Sequence, residues 1–285
     1  MNPRLTRADF KLVMLLGLGK TAQVYLARAP DGREVALKLP RKEVRTNPRQ
    51  ARMFAQEVLL SLGLTHPNLV RGLAGKPYGE DAFLALEYFA EGSLQQRLAQ
   101  GPLEVGEGLG YIQQVAQALI YLHNRGIVHQ DVKPANVFIS GTVAKLGDFG
   151  VAKTPNDTHP FERAGSPYYM APELFKGEAA TPAADAYSLG VLAYELFSGR
   201  RPFECESYDA LITAHLTQPP PPLTGVDRPL AQAILGLLAK HPRDRLSLTE
   251  FVQVLKGESP SPTPKDEQPT TPRPSLLRRL FRRKP

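Results

Sequence analysis

His129-Gln130-Asp131-Val132-Lys133-Pro134-Ala135-Asn136, followed after a short apolar run by Asp148-Phe149-Gly150, is the stretch around which this chain is organised. Asp131, Lys133 and Asn136 stand at tight spacing, and Asp148 is placed to join them. Phosphoryl transfer to a hydroxyl uses such a set. It needs a carboxylate that orients the hydroxyl and accepts its proton, a cation beside the moving phosphoryl, and oxygen ligands for a divalent metal. Asp131 suits the first role, Lys133 the second, Asn136 and Asp148 the third. Taken alone, the stretch also reads as a polar loop whose Asp and Asn make turns. The rest of the chain decides between the two.

Upstream, the pattern is strand, Gly-rich turn, strand. Residues 10–16 read as a strand, and Gly17-Leu18-Gly19-Lys20-Thr21-Ala22-Gln23-Val24 follows. Glycines without Cβ let a hairpin backbone lie close over phosphates and offer its N–H groups. Asp31-Gly32 signals a hairpin. In Glu34-Val35-Ala36-Leu37-Lys38-Leu39, alternation puts Val35, Leu37 and Leu39 on one face and Ala36 and Lys38 on the other. Residues 49–62 hold good helix formers with no Pro or Gly, and carry Glu57 as the partner expected for Lys38, with Met53, Phe54 and Leu60 on the same side. Residues 82–86 read as a buried strand that turns into an acidic, Gly-containing bend at 87–92, where backbone groups could meet an adenine edge. Residues 105–124 form a long helical pattern, with Leu109, Ile112, Val115, Ala116, Leu119 and Leu122 at i, i+3, i+4 spacing, stopped by Asn124-Arg125-Gly126. His129 reads as a packing and hydrogen-bonding residue. Past Gly150 come mostly polar residues, then Gly165-Ser166-Pro167-Tyr168-Tyr169-Met170-Ala171-Pro172-Glu173.

These motifs arrive in the order found in eukaryotic-type protein kinases, and residues 10–255 most resemble the compact bacterial Ser/Thr kinases. The resemblance implies an α+β, two-lobed fold, with a small antiparallel β-rich N-lobe holding one main helix and a larger, mostly helical C-lobe. It sets a kinase domain at 1–256, with N-lobe 1–87, hinge 88–92 and C-lobe 93–256. It implies an ATP-dependent protein Ser/Thr kinase that also autophosphorylates, with Mg2+, or Mn2+ in its place. Asp131, Lys133, Lys38 and Glu57 map onto the catalytic set, and Asn136 and Asp148 onto the metal ligands. The nucleotide contacts map onto Leu16, Gly17, Leu18, Gly19, Lys20, Thr21, Ala22, Gln23, Val24, Ala36, Lys38, Glu87, Phe89, Ser93 and Phe138. Leu86 matches the gatekeeper and Ser93 a ribose contact. Ser166 matches a hydroxyl bridging Asp131 and Lys133. Glu173 with Arg245 matches a structural ion pair, and Asp185 a buried anchor for the catalytic loop. The segment 165–173 matches the shelf on which a peptide docks, which favours protein substrates over small molecules. A nucleotide-binding pseudokinase scaffold is the alternative reading.

Two positions depart from the family pattern. Ala22 stands where the third Gly of the loop is usual, and Gln130 where an Arg usually collects a phosphate from the activation loop. No cation therefore needs neutralising beside Asp131, which predicts activity independent of phosphorylation at Thr154 or Thr158, the hydroxyls between Gly150 and Ser166. Neither change removes a group the reaction needs.

Composition is that of a soluble globular protein, with 42% hydrophobic and 22% charged residues. One cysteine, Cys205, excludes an internal disulfide and suits a reducing cytoplasm. The polar start, residues 1–9, predicts no secretory leader. Net charge is +7, and residues 256–285 carry eight Lys/Arg against three Asp/Glu. The remainder is nearly neutral, so nucleic acid is not an expected partner. Residues 257–274 are dense in Pro, Ser and Thr and read as a disordered linker. In residues 275–285, Leu276, Leu277, Leu280 and Phe281 fall on one helical face, and Arg278, Arg279, Arg282 and Arg283 on the other. Such a tail suits reversible contact with an anionic membrane surface, placing the protein in the cytoplasm and peripherally at the inner membrane face.

Overall fold

A computed structural model describes residues 5–154 and 166–258. The expectations for Thr158, the linker and the basic tail lie outside these residues. The N-terminal part is a mixed unit built on an antiparallel sheet. Strands β1 (Lys11–Leu18), β2 (Ala22–Arg28) and β3 (Glu34–Pro40) are followed by helices α1 (Lys42–Thr46) and α2 (Pro48–Gly63), then β4 (Gly72–Lys76) and β5 (Phe83–Glu87). The sheet order is β1-β2-β3-β5-β4. Strand alternation sorts β3 as expected. Val35, Leu37 and Leu39 pack in one apolar cluster with Phe10, Phe83 and Ala85. On the opposite side Leu84 of β5 packs with Val44, Phe54 and Val58 beneath the helices. Lys38 pairs in register with Leu84, so it stands on the side that α2 covers.

The first strand starts one residue later than the sequence predicts and runs to Leu18. Phe10 is buried, and its ring lies 5.5 Å from that of Phe83. It closes the sheet's apolar face and does not extend the strand. Helix α2 begins at Pro48 because Asn47 caps it. The Asn47 Oδ1 accepts from the N–H groups of Arg49 and Gln50, both at 3.1 Å, and Pro48 has no N–H to satisfy. Phe54 is buried as expected, whereas Met53 is 38% exposed. The helix can lie this close to β4 because Gly72 has no side chain: a Cβ there would sit 2.5 Å from the Ser61 carbonyl oxygen.

The C-terminal part is mostly helical. It contains α3 (Leu94–Leu98), α4 (Val105–His123), a hairpin of β6 (Val137–Ser140) and β7 (Val143–Leu146), α5 (Pro172–Phe175), α6 (Pro182–Ser198), α7 (Tyr208–Thr217), α8 (Arg228–Leu237) and α9 (Leu248–Leu255). Helix α6 is buried nearly all round, from Ala184 to Tyr194, which marks it as the central core helix. One apolar cluster joins Ile112 and Leu119 of α4, Leu189 and Leu192 of α6, Ile234 of α8 and Phe251 of α9. Between α5 and the turn before α9, Arg245 donates to both Glu173 carboxylate oxygens at 2.6 Å. The two side chains are 1% and 4% exposed, so their charges are compensated almost wholly by each other and by carbonyls.

Arg245→Met removes one charge of this buried pair and strands the other. We expect a loss of about 3–5 kcal/mol of unfolding free energy, read by urea denaturation.

Candidate active site

The loop after α4 is anchored from below. Asp185 of α6 is fully buried and accepts from the backbone N–H of His129 and of Gln130, both at 2.8 Å. Its Oδ2 also lies 2.8 Å from His123 Nε2. Gln130 sits at φ 67°, a left-handed conformation that an L side chain adopts only when held. The Asp185 bonds supply that hold, and they set the direction in which Asp131 leaves the loop. His129 is fully buried, with Nε2 3.0 Å from the Gly147 carbonyl oxygen and its ring edge-on to Phe149. It packs and positions, as its place in the sequence suggests.

The predicted groups meet. Lys133 Nζ donates to Asp131 Oδ2 at 2.6 Å and to Ser166 Oγ at 2.9 Å. Asn136 Nδ2 donates to the Asp131 carbonyl oxygen at 2.8 Å and to Asp131 Oδ2 at 2.9 Å. Ser166 serves the bridge with two atoms: its hydroxyl accepts from Lys133, and its backbone N–H donates to Asp131 Oδ1 at 3.0 Å. The sequence suggested a hydroxyl bridge alone.

A second set lies on the sheet side. Lys38 Nζ donates to Glu57 Oε1 at 2.5 Å and to Asp148 Oδ1 at 3.1 Å. Burial opposes the Lys38 ammonium, but the Asp148 and Glu57 carboxylates outweigh it and raise its pKa above the ordinary lysine value. Burial raises the Glu57 pKa against the pull of Lys38. The Lys38 ammonium holds the Asp148 carboxyl down at about 2. Asp148 is the second left-handed non-glycine residue among those described, at φ 65°.

The donor set fits a hard divalent cation in part. Both Asn136 Nδ2 bonds go to Asp131, which leaves Oδ1 as the oxygen a metal could use; Asp148 offers a carboxylate that stays ionised. Among the described residues no group of three or more His, Cys, Asp or Glu makes a self-sufficient metal site. Two protein oxygens completed by phosphate oxygens and water are what Mg2+ usually takes.

The residues expected to contact a nucleotide lie on or next to β1, β2, β3, the end of β5 and β6. Gly17 partners Val24, Leu18 partners Gln23, and Val24 partners Lys38, so the Gly-rich hairpin lies beside the strand that carries the lysine. Gly19 N–H closes the hairpin on the Ala22 carbonyl at 2.9 Å, leaving Lys20 and Thr21 at its tip. Ala22 is 4% exposed, so its methyl is taken up in packing. Leu16 is exposed on β1, and Ala36 lies half-buried on β3. The rings of Phe138 of β6 and Phe89 lie 5.6 Å apart, tilted by 32°. Two residues carry structural duties beyond those expected. The Glu87 carboxylate accepts from Lys145 Nζ at 2.8 Å and from the Arg71 N–H at 2.7 Å. Ser93 is buried and caps α3, its N–H and hydroxyl both directed to Gln96 Oε1. The tie between Glu87 and Lys145 was missed in the sequence, where nothing marks Lys145 apart from other strand lysines.

The fold and this site define a two-lobed domain with the side chains of a phosphotransferase gathered where its sheet meets its helical part. Residues 10–255 match the family model described as the protein kinase domain, and the chain belongs to that family. It is similar to serine/threonine-protein kinase Pkn1 of Myxococcus xanthus, 35% identical over 263 residues, covering 87% of this chain and 38% of the relative. It is similar to PkaB of Streptomyces coelicolor, 34% identical over 277 residues, covering 90% and 66%. It is similar to PknB of Mycobacterium tuberculosis, 32% identical over 272 residues, covering 88% and 44%. The chain thus spans between about a third and two thirds of the length of these bacterial Ser/Thr kinases.

Lys38→Met removes the cation that holds Asp148 at about 2. A carboxylate depressed below its unfolded value of about 3.9 contributes stability that is complete above that pH and lost as pH falls toward the folded value. Glu57, left buried and unpaired, takes up a proton more readily in the variant. Both changes flatten the acid limb of the stability profile, and melting curves of the two proteins across acidic pH should converge.

Proposed function

We propose that this chain is an ATP- and Mg2+-dependent protein Ser/Thr kinase that also autophosphorylates, with Mn2+ able to replace Mg2+. The observation that carries the reading is the interlocked set of Asp131, Lys133, Asn136 and Ser166 at 2.6–3.0 Å, with the Gly147 N–H, next to Asp148, bonded to the Asn136 carbonyl at 2.9 Å and Asp148 bonded to Lys38. Asp131 orients the substrate hydroxyl and takes its proton as the new O–P bond forms and the bond from the γ-phosphorus to the β–γ bridging oxygen breaks. Lys133 leaves part of its pairing with Asp131 to steady the transferring phosphoryl. Lys38, aligned by Glu57, binds the α- and β-phosphates. Asn136 and Asp148 would hold the divalent metal, whose charge would offset that of the triphosphate. The adenine lies against Leu16, Val24, Ala36 and Phe138 and bonds the backbone at Glu87 and Phe89, with Ser93 near the ribose.

Protein substrates and Ser/Thr selectivity are supported by the names of the relatives and by Lys133 standing two residues after Asp131. The domain runs over 1–256, with the linker 257–274 and the tail 275–285 beyond it. The tail reaches an anionic surface through its four paired arginines, each adding about 1 kcal/mol of attraction near the headgroups. This makes the chain a cytoplasmic protein that visits the inner membrane face. Among the described residues no helix is long and apolar enough to cross a membrane.

Incubation with γ-labelled ATP and Mg2+, alone and with a generic basic protein, should give phosphoserine or phosphothreonine. Asp131→Asn should lower the rate by about 10³ or more, by analogy with the loss of an essential base, while Thr154→Ala/Thr158→Ala should stay within about threefold of the native rate. Transfer that persists in Asp131→Asn sinks the assignment of the base; ATP binding without any transfer favours a scaffold.

A second experiment addresses the tail. Vesicles containing phosphatidylserine should sediment the full-length chain, and Leu280→Glu/Phe281→Glu should weaken that binding by about tenfold or more, given the apolar burial it removes. Equal sedimentation of the two proteins would end the membrane reading.

A further inference from the structure

Three consecutive residues after Asp148-Phe149-Gly150 are tied down from two directions. Gln130 Nε2 donates to the Val151 carbonyl at 2.7 Å. Gln56 Nε2 donates to the Ala152 carbonyl at 2.9 Å. Lys153 forms a backbone bridge with Val128, through bonds of 2.8 and 2.9 Å. Gln56 precedes Glu57 on α2, and Gln130 lies between His129 and Asp131. The short segment 151–153 therefore joins the helix that aligns Lys38 to the loop that carries Asp131. Ala152 is 5% exposed, and a carbonyl buried there without a donor would be destabilising.

The donors are neutral amides. They work at any pH in the stable range and require no phosphate. Gln130 is itself fixed by its backbone bond to Asp185, so its side chain starts from a defined point in spite of the left-handed backbone. Where the family pattern has an Arg that waits for a phosphate, this chain has a residue already bonded to its target. The sequence raised Gln130 only as the loss of a cation; the geometry gives it a partner.

We propose that Gln56 and Gln130 are paired positioning residues that together hold α2 and the catalytic loop to residues 151–153, and so keep Glu57, Lys38 and Asp148 in register with Asp131. The rate effects rest on the kinase reading above; the contact itself does not.

The test uses full-length Gln56→Met, Gln130→Met and the double variant, which keep side-chain length and remove the donors. Hydrogen exchange at the Lys153 and Val128 amides reports the segment directly. Phosphate transfer to a basic protein gives kcat and the KM for ATP. Each single variant should exchange at Lys153 about fivefold faster and lose about fivefold in kcat, the equivalent of one ordinary hydrogen bond, with KM for ATP within about twofold. The double variant should lose less than the product of the singles, because both ties hold one segment. Exchange elsewhere in α4 and α6 should not change, which separates a local release from a weaker fold. Should a methionine variant fail to fold, Gln130→Glu and Gln56→Glu remove the donor while keeping a polar group. Exchange and kcat both within about twofold of native in the double variant would overturn the proposal, as would faster exchange with unchanged kcat. If the native chain transfers no phosphate, the kinase reading fails, and the exchange result alone decides whether the ties hold.

Discussion

The buried carboxylate of Asp185 is the constraint on which the site depends. A carboxylate without solvent is tolerated only when donors surround it. Here the donors are two successive backbone N–H groups of the catalytic loop and the His123 ring. Satisfying the carboxylate therefore requires the loop to fold over α6, with Gln130 left-handed. That single bend fixes the exit direction of Asp131 and points the Gln130 side chain at Val151. Helix α6 is buried nearly all round from Ala184 to Tyr194, so it cannot shift without exposing the core.

A second constraint works across the two halves. Lys38 comes from a strand, Glu57 from a helix and Asp148 from a loop 110 residues further on. Lys38 and Glu57 are largely withdrawn from solvent, whereas the Asp148 side chain is 42% exposed. Burial pushes against both the lysine and the glutamate, and the cluster stands because the opposite charges meet. Such an arrangement responds strongly to displacement of α2. The glutamine beside Glu57 that bonds to Ala152 acts against that displacement, as does the close seating of α2 on Gly72.

The contrast with the surface is informative. Lys76 and Asp81 meet at 2.6 Å, the same distance as Lys133 and Asp131, yet both are about half exposed. Exposed pairs of this kind contribute roughly 0–1 kcal/mol. Distance alone does not mark a functional contact here. Burial separates the catalytic pairs from this one, with Lys38, Glu57 and Asp131 only 14%, 5% and 12% exposed.

The sequence by itself determined the chemistry and the class of fold. Asp131, Lys133 and Asn136 stand within eight positions at 129–136, period-2 and period-3.6 patterns place Lys38 on a strand and Glu57 on a helix, and the resemblance to protein kinases implies that the two pair. Local spacing can carry that much because strands and helices have fixed periods. Tertiary structure alone decided the rest. That Ser166 gives its N–H to Asp131 while its hydroxyl accepts from Lys133, that Glu87 is held by Lys145, and that Phe10 seals the sheet all depend on which groups meet at long range. A glutamine has the same propensity at position 56 or 130 as on any surface. Only the folded chain brings to each amide the carbonyl that gives it a role.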